Sequence, residues 1–545
     1  MYQQLLLLLS YFFAAILAAG SGPTILDIKN GVICSPVVQS KSMKAHIHLY
    51  VDTIDTKDSS IIDSLRFPVL IFRAPYVYNF TNIPSPELYY DSYISNKAEL
   101  YKDILDTKNA KFKLEPFEGF NIDQEKVWND FITLDHKIKE EEKHVDVDFV
   151  VPESGIYCVY IAPPHDQGIT DIRVPVQFKN EYGNLLYNEY KVYSQLKWVV
   201  LFGIVLFAVL FNHILKLIGK DFKNMNQLSI ISKGIIFYIL GPFVTVTAFQ
   251  WFCLFITNHF NSSSSGSILL SFSKLVNAWF NIYTQFVFLL FTMGYGVIYY
   301  HDGQSPQYRM FPKKQFSRIF GLFIANLVVI FLLSFLDVTS SKTQYFHGIV
   351  GGVEVNESTP SMRVLIAGAL NLVILLFALF WGIAPIVYYF KTKKLIASFP
   401  PTGSESNYTE RVVKSFRLSI WIILGLPIVI VFVVVYFSVE KLQNAQNSIP
   451  VLPTPTSELR EIVYNSAMKF WNYEILELQP SVFLGIVWSS WAYSFVLVIS
   501  VFFIWVKDNN GLIIDPQAND PIQYADVSEF NISDDEEESS QPFRP

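Results

Sequence analysis

Charge is what this chain has least of. Of its 545 residues, 16% are Asp, Glu, Lys or Arg, against about a quarter in soluble domains. That deficit excludes an ordinary water-soluble enzyme. A hydrophobic fraction of 51% and a mean hydropathy of +0.31 point instead to a membrane protein. No basic domain exists to hold nucleic acid, and much of the net charge of −7 sits in one acidic run near residue 535. Cysteine is scarce, with three in all, so no thiolate metal site is in view. His46 and His48 have no third ligand at metal spacing and fit a solvated strand face. His213, His259, His301 and His347 are scattered, which leaves no acid–base or metal cluster for an enzyme and calls for no cofactor. Lys233, Lys274, Asp337 and Arg363 lie near the ends of apolar runs, not their centres. Proton relays and voltage sensors need intramembrane charge, so coupled transport has no machinery here. The Asp-Arg-Tyr and Asn-Pro-x-x-Tyr signatures of rhodopsin-type receptors are missing as well.

What is present begins with a secretory pattern. Leu5 to Leu17 is apolar, and Ala18-Ala19-Gly20 supplies small residues for cleavage, so residues 1–20 read as a signal peptide too short to span a bilayer. Residues 23–195 then read as a lumenal β domain. Ala45, Ile47, Leu49 and Val51 alternate with polar neighbours, as do Val145, Val147 and Phe149, and Ile172, Val174, Val176 and Phe178. A period of two predicts a half-buried antiparallel sandwich. "FPVLIF" and "GIYCVYIA" predict strands buried on both faces, and the stretch from Asp123 to Lys143 reads as helical or irregular. Cys34 and Cys158 are the two cysteines of this segment, and in an oxidising lumen they predict one disulfide with Cα atoms about 4.4–6.8 Å apart. Cys253 lies in an apolar run and reads as packing.

Seven apolar runs follow, at roughly 197–217, 230–257, 272–299, 318–338, 363–390, 417–438 and 481–506, so residues 197–506 predict a seven-helix transmembrane bundle. Lys216 and Lys220, Lys313 to Arg318, and Lys391 to Arg417 load alternate loops with positive charge. The positive-inside rule therefore puts the β domain in the lumen and the tail 507–545 in the cytosol, as the signal peptide also requires. Asn79, Asn261 and Asn356 head sequons on the lumenal side and predict glycosylation, whereas Asn407 and Asn531 stay bare. Asn277, Asn281, Gln285, Asn326 and Asn371 are expected to hydrogen-bond between helices, with cavity lining the alternative.

Thr292-Met293-Gly294-Tyr295-Gly296 approaches the filter sequence of potassium channels. It follows continuous helix-like sequence with no re-entrant break, so Gly294 and Gly296 are expected to end the third helix at the cytosolic face, at least one of them with little room for a Cβ. A signal peptide, a β-rich domain holding Gly155-Ile156-Tyr157-Cys158, seven helices and Gly294-Tyr295-Gly296-Val297 together resemble the GOLD-domain seven-transmembrane family, also called lung seven-transmembrane receptor-like. Trp505, Asn509 and Asn510 are similar to that family's exit from the last helix, although Val506-Lys507 replaces its Arg-Pro. The resemblance implies a GOLD-like β-sandwich, a bridge from the late-strand Cys158 to Cys34, and residence in Golgi and endosomal membranes.

The tail adds Tyr524-Ala-Asp-Val527, a pattern read by clathrin adaptors, then Ser533 followed by Asp534, Asp535, Glu536, Glu537 and Glu538, a site for an acidophilic kinase. A plain solvated acidic tail is the alternative. The expected function is vesicle-mediated trafficking or protein sorting, without enzymatic activity. The lumenal domain would meet cargo or membrane lipid and the tail would meet adaptor or coat proteins. A receptor, or a cation-conducting or lipid-handling bundle, is the runner-up.

Overall fold

The computed structural model describes residues 24–27, 31–39, 44–56, 66–84, 89, 104–106, 109, 111–116, 126–133, 147–162, 169–185, 187–220, 222, 230–260, 265–300, 309–349, 362–397, 406–447 and 479–506. Strands β1 (Thr24–Asp27), β3 (His46–Leu49), β4 (Thr53–Thr56), β9 (Val147–Val150) and β11 (Ile169–Lys179) form one antiparallel sheet, and long β11 runs through it, pairing with β1, β3 and β4. Strands β2 (Val32–Val37), β5 (Arg66–Arg73), β8 (Trp128–Thr133) and β10 (Gly155–Ile161) form the second, in the order β2-β10-β5-β8. The alternating residues meet between the sheets as expected. Ile47, Leu49, Val147, Phe149, Ile172, Val174 and Val176 face Ile33, Val69, Ile71, Tyr157 and Val159 in one core, while His46 and His48 stay half-exposed.

Strand β10 is buried along its whole length because the second sheet has cover on both faces. Its outer face carries Cys34, Leu70, Phe72, Cys158 and Tyr160 beneath the segment that leaves β5 through a 3₁₀ turn (Ala74–Asn79) and includes the short pair β6 (Leu105–Asp106) and β7 (Lys111–Phe112). Cys34 and Cys158 are bonded there, with a Cα separation of 4.0 Å, below the expected range. The reason lies in the register. Cys158 faces Cys34 directly across β10 and β2. Ile161 N–H bonds Gly31 O two steps along the alternation from Val159–Ile33, so the cysteines occupy the close, non-hydrogen-bonded pair. A second correction concerns Trp128 to Thr133, expected to be helical or irregular. Aromatic and β-branched residues there fit a pleated edge, and β5 offers them its free side.

Among the described residues seven long helices follow: α1 (Tyr187–Leu217), α2 (Ile230–Phe260), α3 (Ser265–Thr292), α4 (Lys313–Ile349), α5 (Met362–Ala397), α6 (Ser406–Asn447) and α7 (Gln479–Trp505). Each holds a span long and apolar enough to cross a membrane, which makes this an integral membrane protein. The main core joins α1, α2, α3, α5, α6 and α7 through Leu196, Leu240, Phe291, Tyr389, Phe416 and Phe502. A smaller core sets Leu289 and Phe286 of α3 against Ile319 of α4 and Trp381 of α5. Helix α1 begins at Tyr187, upstream of its apolar run, and α3 stops at Thr292, short of the expected 299.

Helix α2 changes to π geometry over Ile235–Leu240 just before Gly241 and Pro242. Proline has no N–H to give to the carbonyl four residues back, here Tyr238, and would leave it unpaired in hydrocarbon. The Tyr283 hydroxyl of α3 donates to that oxygen at 2.9 Å. The same arrangement recurs in α6. Pro427 frees the Ile423 carbonyl, and the Tyr493 hydroxyl of α7 donates to it at 3.3 Å.

Candidate functional site

The β domain meets the bundle at a built junction, assembled from the end of β11 and the end of α2. After Lys179 the chain makes a tight turn in which Asn180 and Gly183 exchange backbone hydrogen bonds of 2.9 and 3.1 Å. The Asn180 side chain, 4% exposed, accepts from Val38 N–H at 2.8 Å and donates to Leu185 O at 3.0 Å. It therefore ties the start of α1 back to strand β2. Asn258, in the last turn of α2 and 3% exposed, grips the same turn from the other side. Its amide donates to Tyr182 O at 2.6 Å and its side-chain oxygen accepts from Leu185 N–H at 3.3 Å. Its backbone oxygen takes both Asn184 N–H, at 3.3 Å, and the Asn184 amide, at 3.1 Å. Gly183 has φ +129°, and a Cβ there would run into Asn258, so only glycine fits.

Aromatic rings surround this polar clasp. Tyr182 stacks on Tyr190 of α1 at 3.7 Å, and Tyr193 lies parallel to Trp251 of α2 at 6.1 Å. Burial pushes the Tyr182 phenol well above its ordinary pKa, with neighbouring Tyr187 and Tyr190 adding to the shift. The ring stays neutral as part of an interfacial aromatic collar. Lys274 of α3 pairs with Glu189 of α1 at 3.1 Å alongside.

A second constellation closes the opposite end of the bundle. Gly294 N–H bonds Phe291 O at 2.9 Å and Tyr295 N–H bonds Leu290 O at 3.0 Å, the paired bonds of a Schellman cap. Gly294 takes φ +90° as that motif requires, and Gly296 follows at φ +78°. The Thr392 hydroxyl of α5 donates to Thr292 O at 2.8 Å, satisfying a carbonyl the helix end exposes. Neither glycine has room for a side chain. A Cβ on Gly294 would lie 3.2 Å from Thr392 Cγ2, and one on Gly296 would lie 3.1 Å from Ile231 Cγ1 of α2. Tyr295 and Tyr299 both present edges to Phe311, ahead of α4, with centroids 5.5 and 5.7 Å away. Trp505 is buried at the end of α7 and donates from Nε1 to Ser419 Oγ of α6 at 2.8 Å. Phe291 touches both Trp505 and Phe416, at 6.1 and 5.3 Å. Gly294, Tyr295, Gly296 and Trp505 are thus brought into one packed knot where six helices meet.

The β domain also carries an open cleft of about 450 Å³ lined by Asp106, Asn109, Lys111, Lys113, Asn129 and Phe131. Asn109 donates to Asp106 at 2.7 Å and Lys111 pairs with Asp130 at 3.2 Å, so the lining holds both signs of charge.

Other expected residues fall elsewhere. Asn79 ends the 3₁₀ turn on the β domain, and the Thr81 of its sequon is exposed. Residues 1–23, with the signal peptide, lie outside the described residues, as do Asn261, Asn356, Asn509, Asn510, Tyr524, Val527, Ser533 and Asp534 to Glu538. Among the described residues, none of Asn277, Asn281, Gln285, Asn326 and Asn371 makes the expected hydrogen bond between helices. Asn281, Gln285 and Asn371 point outward, and the Asn326 side-chain oxygen is buried without a partner. The bundle face chosen by Ile282, Phe286 and Leu289 rotates positions 281 and 285 away from neighbouring helices. Tyr283, Thr392, Tyr493 and Trp505 make the interhelical bonds instead. The junction residues Asn180, Gly183, Asn184 and Asn258 had one sequence signal, the turn-forming Asn180-Glu-Tyr-Gly-Asn184 just before α1. Comparison with models of known families and with characterised proteins finds no match for this chain.

Proposed function

We propose that this protein is a non-enzymatic sorting component of Golgi and endosomal membranes, related to the GOLD-domain seven-transmembrane proteins. Its β domain lies in the lumen and its tail in the cytosol. The observation that carries the proposal is the clasp of Asn258 on the Tyr182–Leu185 turn, which fixes a disulfide-stapled β-sandwich onto a seven-helix bundle. A domain held this firmly presents a surface at constant height above the membrane, as a cargo or lipid contact requires, and the mixed-charge cleft beside β7 supports that reading. Gly294 to Gly296 and Trp505 close the other end in the order the resemblance implies. Packing of α1, α2, α3, α6 and α7 around one apolar core favours a scaffold over a conducting or lipid-handling bundle.

Under this proposal, cells lacking the protein mis-sort resident Golgi proteins to the surface or to degradation, and the full chain restores them. Restoration by a chain lacking the β domain, or no sorting defect at all, would contradict it.

A further inference from the structure

The end of the bundle that carries the glycine turn is crowded with positive charge. Lys313, Lys314 and Arg318 head α4, and Lys391, Lys393 and Lys394 close α5, all exposed. Helix α6 adds Lys414 and Arg417 nearby. None of these eight forms a salt bridge among the described residues, and no Asp or Glu side chain is described at that end. Helix α7 leaves the bundle at the same place, through buried Trp505 and Val506. The chain beyond it is acidic, and its densest run is Asp534, Asp535, Glu536, Glu537 and Glu538.

We propose that this acidic run of the chain's own tail docks on the basic face formed by the head of α4 and the end of α5. Reach permits it. The run begins about 27 residues beyond Val506, and that many residues can span roughly 28 Å. That matches the roughly 30 Å width of a seven-helix bundle with axes 8–10 Å apart. Tethering gives the run an effective concentration on the order of millimolar, well above any free competitor of the same chemistry. Five carboxylates against eight cations within a Debye length of about 8 Å make the contact strong at low salt and weak at high salt. The inference holds for either orientation of the bundle, since α7 ends on the basic face in both. It is also independent of whether an adaptor reads Tyr524. Docking would hold Tyr524 and Val527 near the membrane, and an anionic leaflet would compete for the same lysines and release them.

The test is zero-length carbodiimide coupling of the full chain in nanodiscs of neutral phosphatidylcholine, read by mass spectrometry. At 50 mM salt, amide links should join tail carboxylates to Lys313, Lys314, Lys391, Lys393 or Lys394 within one chain, at a yield independent of protein concentration. Links through Asp526 and Glu529 should fall about five-fold or more at 0.5 M salt. They should fall equally in a variant carrying Asp534→Asn, Asp535→Asn, Glu536→Gln, Glu537→Gln and Glu538→Gln, which leaves those two carboxylates intact. Nanodiscs containing phosphatidylserine should lower them as well. Absence of links in neutral nanodiscs, links only between chains, or a yield at Asp526 and Glu529 unmoved by the neutralising changes would overturn the proposal.

Discussion

Asn258 ties the end of α2 to the turn that leaves the β domain. One side chain and its backbone oxygen satisfy groups on half-buried Tyr182 and Asn184 and on buried Leu185. Truncation strands the Tyr182 carbonyl and the buried Leu185 N–H at about 1–3 kcal/mol each, so Asn258→Ala should cost roughly 2–6 kcal/mol. Limited proteolysis should then release the β domain from the helices before either part unfolds, and joint unfolding with no change in midpoint would refute the assignment. Gly183→Ala should act in the same direction, through both its φ of +129° and the space Asn258 occupies. At the other end, Gly296→Val must take up a left-handed conformation at about 1–2 kcal/mol and also displace Ile231. The full chain should express poorly or melt earlier, with no effect on potassium conductance. The need for glycine at 294 and 296 was legible, because a Gly-x-Gly at the end of an apolar run predicts a helix stop. The need at 183 was not, since its reason is a residue 75 positions further along the chain.

Helices were legible as apolar runs and strands as alternation, yet their ends were set by contacts no run encodes. Helix α3 stops at Thr292 because Gly294 takes the left-handed cap and the Thr392 hydroxyl donates to the exposed Thr292 carbonyl. Strand β8 exists because β5 has a free edge. The proline breaks follow one rule, a tyrosine from the next helix donating to the freed carbonyl, and that rule makes a clean prediction. Tyr283→Phe should destabilise the bundle by about 0.5–2 kcal/mol, the range of hydrogen bonds within membranes. In a Pro242→Ala background the cost should shrink, because the restored N–H takes over the Tyr238 carbonyl. Tyr493→Phe and Pro427→Ala should behave alike. A thermal-unfolding double-mutant cycle checks this, and additive costs would show that the tyrosines serve packing alone. The disulfide staples the second sheet and encloses 124 residues of separation, so Cys34→Ser with Cys158→Ser should cost on the order of 4–5 kcal/mol in the chain-entropy picture.

At the scale of the molecule, a disulfide-stapled β domain, a seven-helix bundle and an acidic tail make the proposed sorting device only if location depends on the tail. Much of this plan was legible in the sequence: hydropathy laid out the bundle, and the two cysteines of one compartment found each other. The clasp was hidden because Asn180 and Asn258 carry no pattern of their own and become partners only when β11 and α2 are folded. The sidedness of the plan has its own check. Endoglycosidase digestion should remove a glycan from Asn79 and none from Asn407, and a glycan on Asn407 would invert the bundle. The measurement closest to the central claim is the steady-state location of the full chain carrying Tyr524→Ala with Asp534 to Glu538 neutralised. The variant should remain folded and glycosylated while shifting from Golgi and endosomes to the cell surface or the degradative compartment. An unchanged location for that variant, and for a chain lacking residues 515–545, would contradict the account.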